Sequence, residues 1–116
     1  MKLTAKNLKA IEILRTTKEK QCYGSLITRD SEGKAAFCGI GVLLKNADII
    51  ESVIGYSQKE LHMFTVIAEN YGINCEGLEN LTTDNDIVRS TFKQMAENME
   101  NHPENYFGSI EVRPSL

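Results

Sequence analysis

The chain has no tryptophan, only two prolines, two histidines and three cysteines among its 116 residues. Each scarcity removes a class of protein. Cys22, Cys38 and Cys75 are odd in number and far apart, with no C-x-x-C pair. That spacing supports neither a disulfide framework nor a zinc ribbon, and two histidines add little to a ligand set. No cofactor is expected. No apolar stretch approaches the roughly 20 residues that span a bilayer, so no membrane partner is expected. The opening Met1-Lys2-Leu3-Thr4-Ala5-Lys6 lacks the apolar core of a signal peptide, and reduced thiols in a cytoplasm follow as the expectation. Repeats, linkers and low-complexity segments are also missing.

What remains is ordinary globular material, 41% hydrophobic and 25% charged, enough for a single domain over residues 1–116. The net charge of −3 is unevenly spread. Residues 1–34 carry eight Lys or Arg against four Asp or Glu, whereas residues 35–116 carry five against twelve. The acidic second part argues against general nucleic-acid binding, which needs clustered positive charge. Lys2, Lys6, Lys9, Lys18 and Lys20 form a modest basic set near the first helix, read as a solvated face.

The organising stretch is Phe37-Cys38-Gly39-Ile40-Gly41-Val42-Leu43-Leu44. Its glycines allow another backbone to approach, and a short helix from Gly39 to Lys45 is predicted. Cys38 would stand at that helix's start, where free N–H groups and the helix dipole favour a thiolate. Ordinarily a free cysteine is a small buried hydrophobe, and that reading is adopted for Cys38.

Around this stretch the pattern predicts an α+β fold with three to four helices. Residues 4–19 read as a helix with Thr4 as N-cap and Leu8, Ile11 and Leu14 inward. A hairpin spans 21–38, turning at Arg29 to Gly33. Asp48 to Val53 is a short helical turn. Ser57 and Glu60 form a capping box for a helix ending at Tyr71, with Gly72 as its left-handed stop. That helix, with Phe64 inward, is expected to be the most buried. Cys75 to Asp86 reads as a polar connection anchored by Leu78 and Leu81. A second box, Thr91 with Gln94, opens a helix to Asn101 whose Phe92, Met95, Ala96 and Met99 face the core. Tyr106 to Val112 reads as an edge strand.

Several of these pieces together resemble a family of small uncharacterised proteins of bacteriophages and bacteria. The resemblance rests on Tyr23-Gly24-Ser25-Leu26, the aromatic-C-x-x-G-x-L segment Phe37 to Leu43, and Asn85-Asp86 ahead of the helix Phe92 to Met99. It departs at Thr82-Thr83-Asp84. It implies a phage or mobile-element setting and no established activity.

Two functions compete. The first is a non-enzymatic interaction protein acting on a host factor or defence system. Its acidic surface would draw on Glu69, Glu76, Glu79, Asp84, Asp86, Glu97 and Glu100 to meet a protein partner. The second is a cysteine-dependent hydrolase or transferase with Cys38 as nucleophile and His62 or His102 as base. A calcium site on Asp84 and Asp86 is a weaker alternative, since the ligand ladder and glycine of an EF-hand loop are missing. No catalytic residue is therefore assigned.

Overall fold

A computed structural model describes residues 2–47 and 60–107, apart from the side chains of residues 60–63. The architecture is α+β, as expected. Among the described residues five α-helices, α1 (Ala5–Thr16), α2 (Gly39–Asn46), α3 (Glu60–Tyr71), α4 (Cys75–Thr83) and α5 (Phe92–Asn101), accompany a small sheet. Its strands are β1 (Lys20–Gln21), β2 (Ile27–Arg29) and β3 (Ala35–Phe37). Among the described residues no helix is long and apolar enough to cross a membrane.

β2 and β3 form a hairpin shorter than the expected 21–38, antiparallel with Ile27 opposite Phe37 and Arg29 opposite Ala35, whereas residues 22–26 are not strand and Gln21 belongs to β1. Asp30 Oδ1 accepts from the Glu32 and Lys34 amides, and Gly33 turns the chain with φ of 82°. That Asx arrangement is turn chemistry written in the sequence. The sheet is completed by β1, which pairs parallel to β3. β3 is therefore central, and it leads directly into α2.

Among the described residues α2 is the deepest helix, with Gly39 through Leu44 all buried. This corrects the expectation that the helix ending at Tyr71 would be. Two features explain the depth. α2 has no polar face until Lys45, and Gly41 lets it press against the chain before β2. A Cβ on Gly41 would lie 2.1 Å from the Leu26 carbonyl oxygen. That carbonyl accepts the Cys38 N–H at 3.1 Å, so the close approach is also a hydrogen-bonded one.

α1 starts at the predicted cap, with Thr4 and Asn7 bonded reciprocally as a capping box. Its buried face is Asn7, Ala10, Ile11 and Leu14, whereas Leu8 is exposed. The helix is turned from the expected phase because Asn7 has an inward task. Its Nδ2 donates to the Tyr71 carbonyl at 2.9 Å, closing the end of α3. Gly72 follows with φ of 71°, the expected left-handed stop. Tyr71 in turn donates its hydroxyl to the Leu43 carbonyl at 2.6 Å, which joins α3 to α2. Phe64, expected in the core, is only half-buried, whereas Ile67 and Tyr71 are fully enclosed.

The largest correction concerns residues 75–86. Asn74 accepts from the Gly77 amide and opens α4, and the helix passes into a π-helical turn at Asp84–Val88. α5 then begins at the predicted Thr91–Gln94 box and lies along α1, with Phe92, Met95, Ala96 and Met99 inward. Tyr106 and Phe107 are buried beyond α5 but form a turn after a short 3-10 segment, Pro103–Asn105, instead of starting a strand. The rest of that expected strand, the turn from Asp48 and the Ser57 cap lie outside the described residues.

A Gly41→Ala substitution should therefore destabilise the fold by about 1–3 kcal/mol, the usual cost of overpacking. Urea unfolding measures it, and an unchanged midpoint would mean that α2 does not sit against Leu26.

Candidate functional site

The most concentrated polar chemistry gathers around one side chain. Asn85 is 1% exposed, yet all its hydrogen-bonding capacity is used. Its Oδ1 accepts from Gln21 Nε2 at 2.8 Å and from the Gly39 amide at 3.2 Å. Its Nδ2 donates to the Cys22 carbonyl at 2.9 Å and to Asp86 Oδ1 at 2.8 Å. A carboxamide offers two acceptor and two donor sites, so nothing is left over. One residue thus holds the end of β1, the start of α2 and the π-turn.

The neighbours extend this hub. Gln21 Nε2 also reaches the Ser90 carbonyl at 2.8 Å, and Asp86 Oδ1 accepts from the Gly24 amide at 2.9 Å. Asp84 faces a different partner and accepts the Tyr106 hydroxyl at 2.6 Å. Burial first, and then that carboxylate, push the Tyr106 phenol well above its ordinary value. The π-turn ends at Arg89, a non-glycine residue at φ of 62°, and the Ser90 amide returns to the Asp84 carbonyl. The two aspartates are thus committed to different parts of the fold. Among the described residues no group of three His, Cys, Asp or Glu side chains is arranged to hold a metal ion.

Cys38 is where the sequence places it, at the N-cap of α2, with Sγ accepting from the Gly41 amide at 3.3 Å. The helix N–H groups do favour a thiolate, but burial outweighs them. The thiol is pushed from 9.0 up to about 11, with Asp86 and Cys22 adding small contributions in the same direction. A cavity of about 180 Å³ is lined by Cys38 together with Gly24, Leu26, Leu81 and Asp86 among others. His102 is exposed at the far end of α5, and the His62 side chain lies outside the described residues. Cys22 is buried and its thiol is raised by desolvation, whereas Cys75 is exposed.

The acidic residues are scattered more widely than their sequence clustering suggests. Glu100 is ion-paired with Arg15 at 2.5 Å, and Asp84 and Asp86 hold the fold as described. Glu69 on α3 and Glu97 on α5 are exposed. Glu76 and Glu79 are exposed one turn apart on α4. Beside them lies a cleft of about 590 Å³, lined by Leu26, Ile40, Phe64, Leu78, Glu79 and Thr82 among others. Neither α4 nor its cleft was foreseen. The one trace in the sequence is the Leu78–Leu81 spacing.

A second unforeseen surface is the tip of the π-turn. Ile87 and Val88 are 76% and 63% exposed, and Arg89 stacks over the Tyr23 ring at 4.3 Å. The chain matches no protein-family model, no curated protein and no solved structure.

Two outcomes follow from this geometry. Asn85→Ala should cost about 2–5 kcal/mol, since it leaves the Gly39 amide and the Cys22 carbonyl buried without partners. A loss below about 1 kcal/mol in urea unfolding would show that the hub is dispensable. For Cys38, a Cys75→Ser chain should react slowly with a thiol reagent while folded and at two thiols once unfolded. The folded-state pKa is raised, so the buried neutral thiol stabilises the fold fully below pH 9. That contribution is lost as the pH rises toward about 11. A Cys38→Ala chain should lack this alkaline component, and rapid labelling near neutral pH would contradict the assignment.

Proposed function

We propose that this chain is a small, phage-related, non-enzymatic interaction protein that acts in the cytoplasm on a host factor or defence system through an acidic surface. The supporting observation is how the polar groups are used. Cys38, Asn85, Asp84 and Asp86 are the residues most suggestive of chemistry, and each is taken up by internal hydrogen bonds. Glu76 and Glu79 are not so used. They are exposed, and among the described residues neither forms an ion pair.

An acidic helix face of this kind favours a basic partner surface. Its field steers association from beyond contact distance, and like charges on wrong partners are repelled. Glu69 and Glu97 extend the same sign onto α3 and α5. The contribution lies mainly in encounter rate and partner choice. The phage setting rests on the sequence resemblance alone.

The test is a host-lysate capture with the wild-type chain and with Glu76→Lys/Glu79→Lys. A partner retained by the wild type should be lost or weakened at least tenfold by the double reversal. Its association rate should also fall as the Debye length shrinks from about 10 Å at 0.1 M salt to about 3 Å at 1 M. Equal binding by both chains, at a rate indifferent to salt, would overturn the acidic-surface reading.

A further inference from the structure

The cleft beside α4 has the composition of a seat for one kind of partner segment. Resting on the acidic-surface reading above, we infer that it takes a basic amphipathic helix. The apolar side chains of that helix would lie against Leu26, Ile40, Phe64 and Leu78, and its Lys or Arg residues along Glu76 and Glu79. The volume of about 590 Å³ falls in the range of about 300–1,000 Å³ typical of ligand clefts. Its floor is aliphatic and aromatic, and Leu78 packs from it into the main core.

The rim supplies the sign of the partner. Glu79 lines the cleft itself, and Glu76 stands one turn away on the same helix face. The Thr82 hydroxyl donates to the Leu78 carbonyl at 3.0 Å, so it has only acceptor capacity left for a visitor. No lysine or arginine is among the described lining residues. An apolar floor edged by acceptors disfavours an acidic or purely polar segment. It matches the helix-in-groove mode, in which anchors at i, i+3, i+4 and i+7 enter the groove. A straight α-helix suits the rim because cations placed three or four residues apart match the one-turn spacing of Glu76 and Glu79.

Cys75 gives the test a reporter inside the cleft. It lines the cavity, it is exposed, and it opens α4. The probe is a synthetic 16-residue amphipathic helix with leucines at i, i+3, i+4 and i+7 and lysines flanking them. Two controls carry glutamates for the lysines, or the same composition in scrambled order. Binding is read by fluorescence anisotropy, and occupancy by the rate at which Cys75 is alkylated in the full chain. The lysine peptide should bind at least tenfold more tightly than either control and slow Cys75 alkylation at least fivefold. Glu76→Gln/Glu79→Gln should weaken it at least fivefold. Thr82→Trp, checked for native circular dichroism, should abolish protection by filling the cleft.

Equal binding of the glutamate or scrambled peptide would overturn the inference, as would binding that leaves Cys75 alkylation unchanged. Concentration-dependent self-protection of Cys75 would identify a second copy of this chain as the occupant and would likewise overturn it. These failures are distinct from failure of the acidic-surface reading. A captured host partner that still responds to Glu76→Lys/Glu79→Lys would keep that reading while the cleft assignment fell.

Discussion

The Asn85 carboxamide is the joint on which the rest of the molecule depends. Its partners at Gln21, Cys22 and Gly39 lie between 46 and 64 residues away in sequence. A buried amide with any of these bonds missing would carry a large desolvation cost, so the four bonds stand or fall together. This all-or-none character fixes the position of β1 relative to β3, since the sheet has only two residues of parallel pairing to define it. The π-turn serves the same end. The backbone is still right-handed helical at Thr83 and Asp84, so Asn85 continues α4, and the wider turn then carries the chain to its left-handed end at Arg89.

Two close backbone approaches complement this polar joint. Gly41 admits the Leu26 carbonyl to α2, and Gly77 admits the Tyr106 carbonyl to α4, where a Cβ would lie 2.0 Å from the oxygen. Both contacts put an element within reach that a side chain would hold away. In this way Leu26 comes to line the α4 cleft although it lies far ahead of α4 in the chain, and buried Tyr106 reaches Asp84. The surface argued to meet a partner is thus built from segments joined only by the fold.

Much of this was legible where the signal is local. The predicted Thr4 cap and the Thr91–Gln94 pair sit at real helix starts, although the partner that completes a box with Thr4 is Asn7 instead of the usual Glu or Gln. The Phe92-Met95-Ala96-Met99 stripe faces inward because its spacing leaves no alternative face for it. Asn7 itself was not legible as an inward residue. A polar side chain is placed inside only by a distant partner, here the Tyr71 carbonyl, and no local pattern announces it. Helix α4 was hidden for a related reason. Its sequence, CEGLENLTT, is poor in apolar residues, and it is held by packing of Gly77 and Leu81. Cys38 was placed correctly, but the balance between helix dipole and burial depends on how completely α2 is enclosed.

The pairing of α1 with α5 has a consequence for synthesis. These are the first and last of the described α-helices, and each provides much of the other's apolar cover, with Arg15 and Glu100 bridging the seam. A chain emerging from the ribosome at about 5–20 residues per second presents Ala10, Ile11 and Leu14 long before Phe92 exists. The interval is roughly 4–15 seconds at that pace. During it α1 is too short to persist alone in water. Burial of the seam between α1 and α5 is thus among the last steps that synthesis allows.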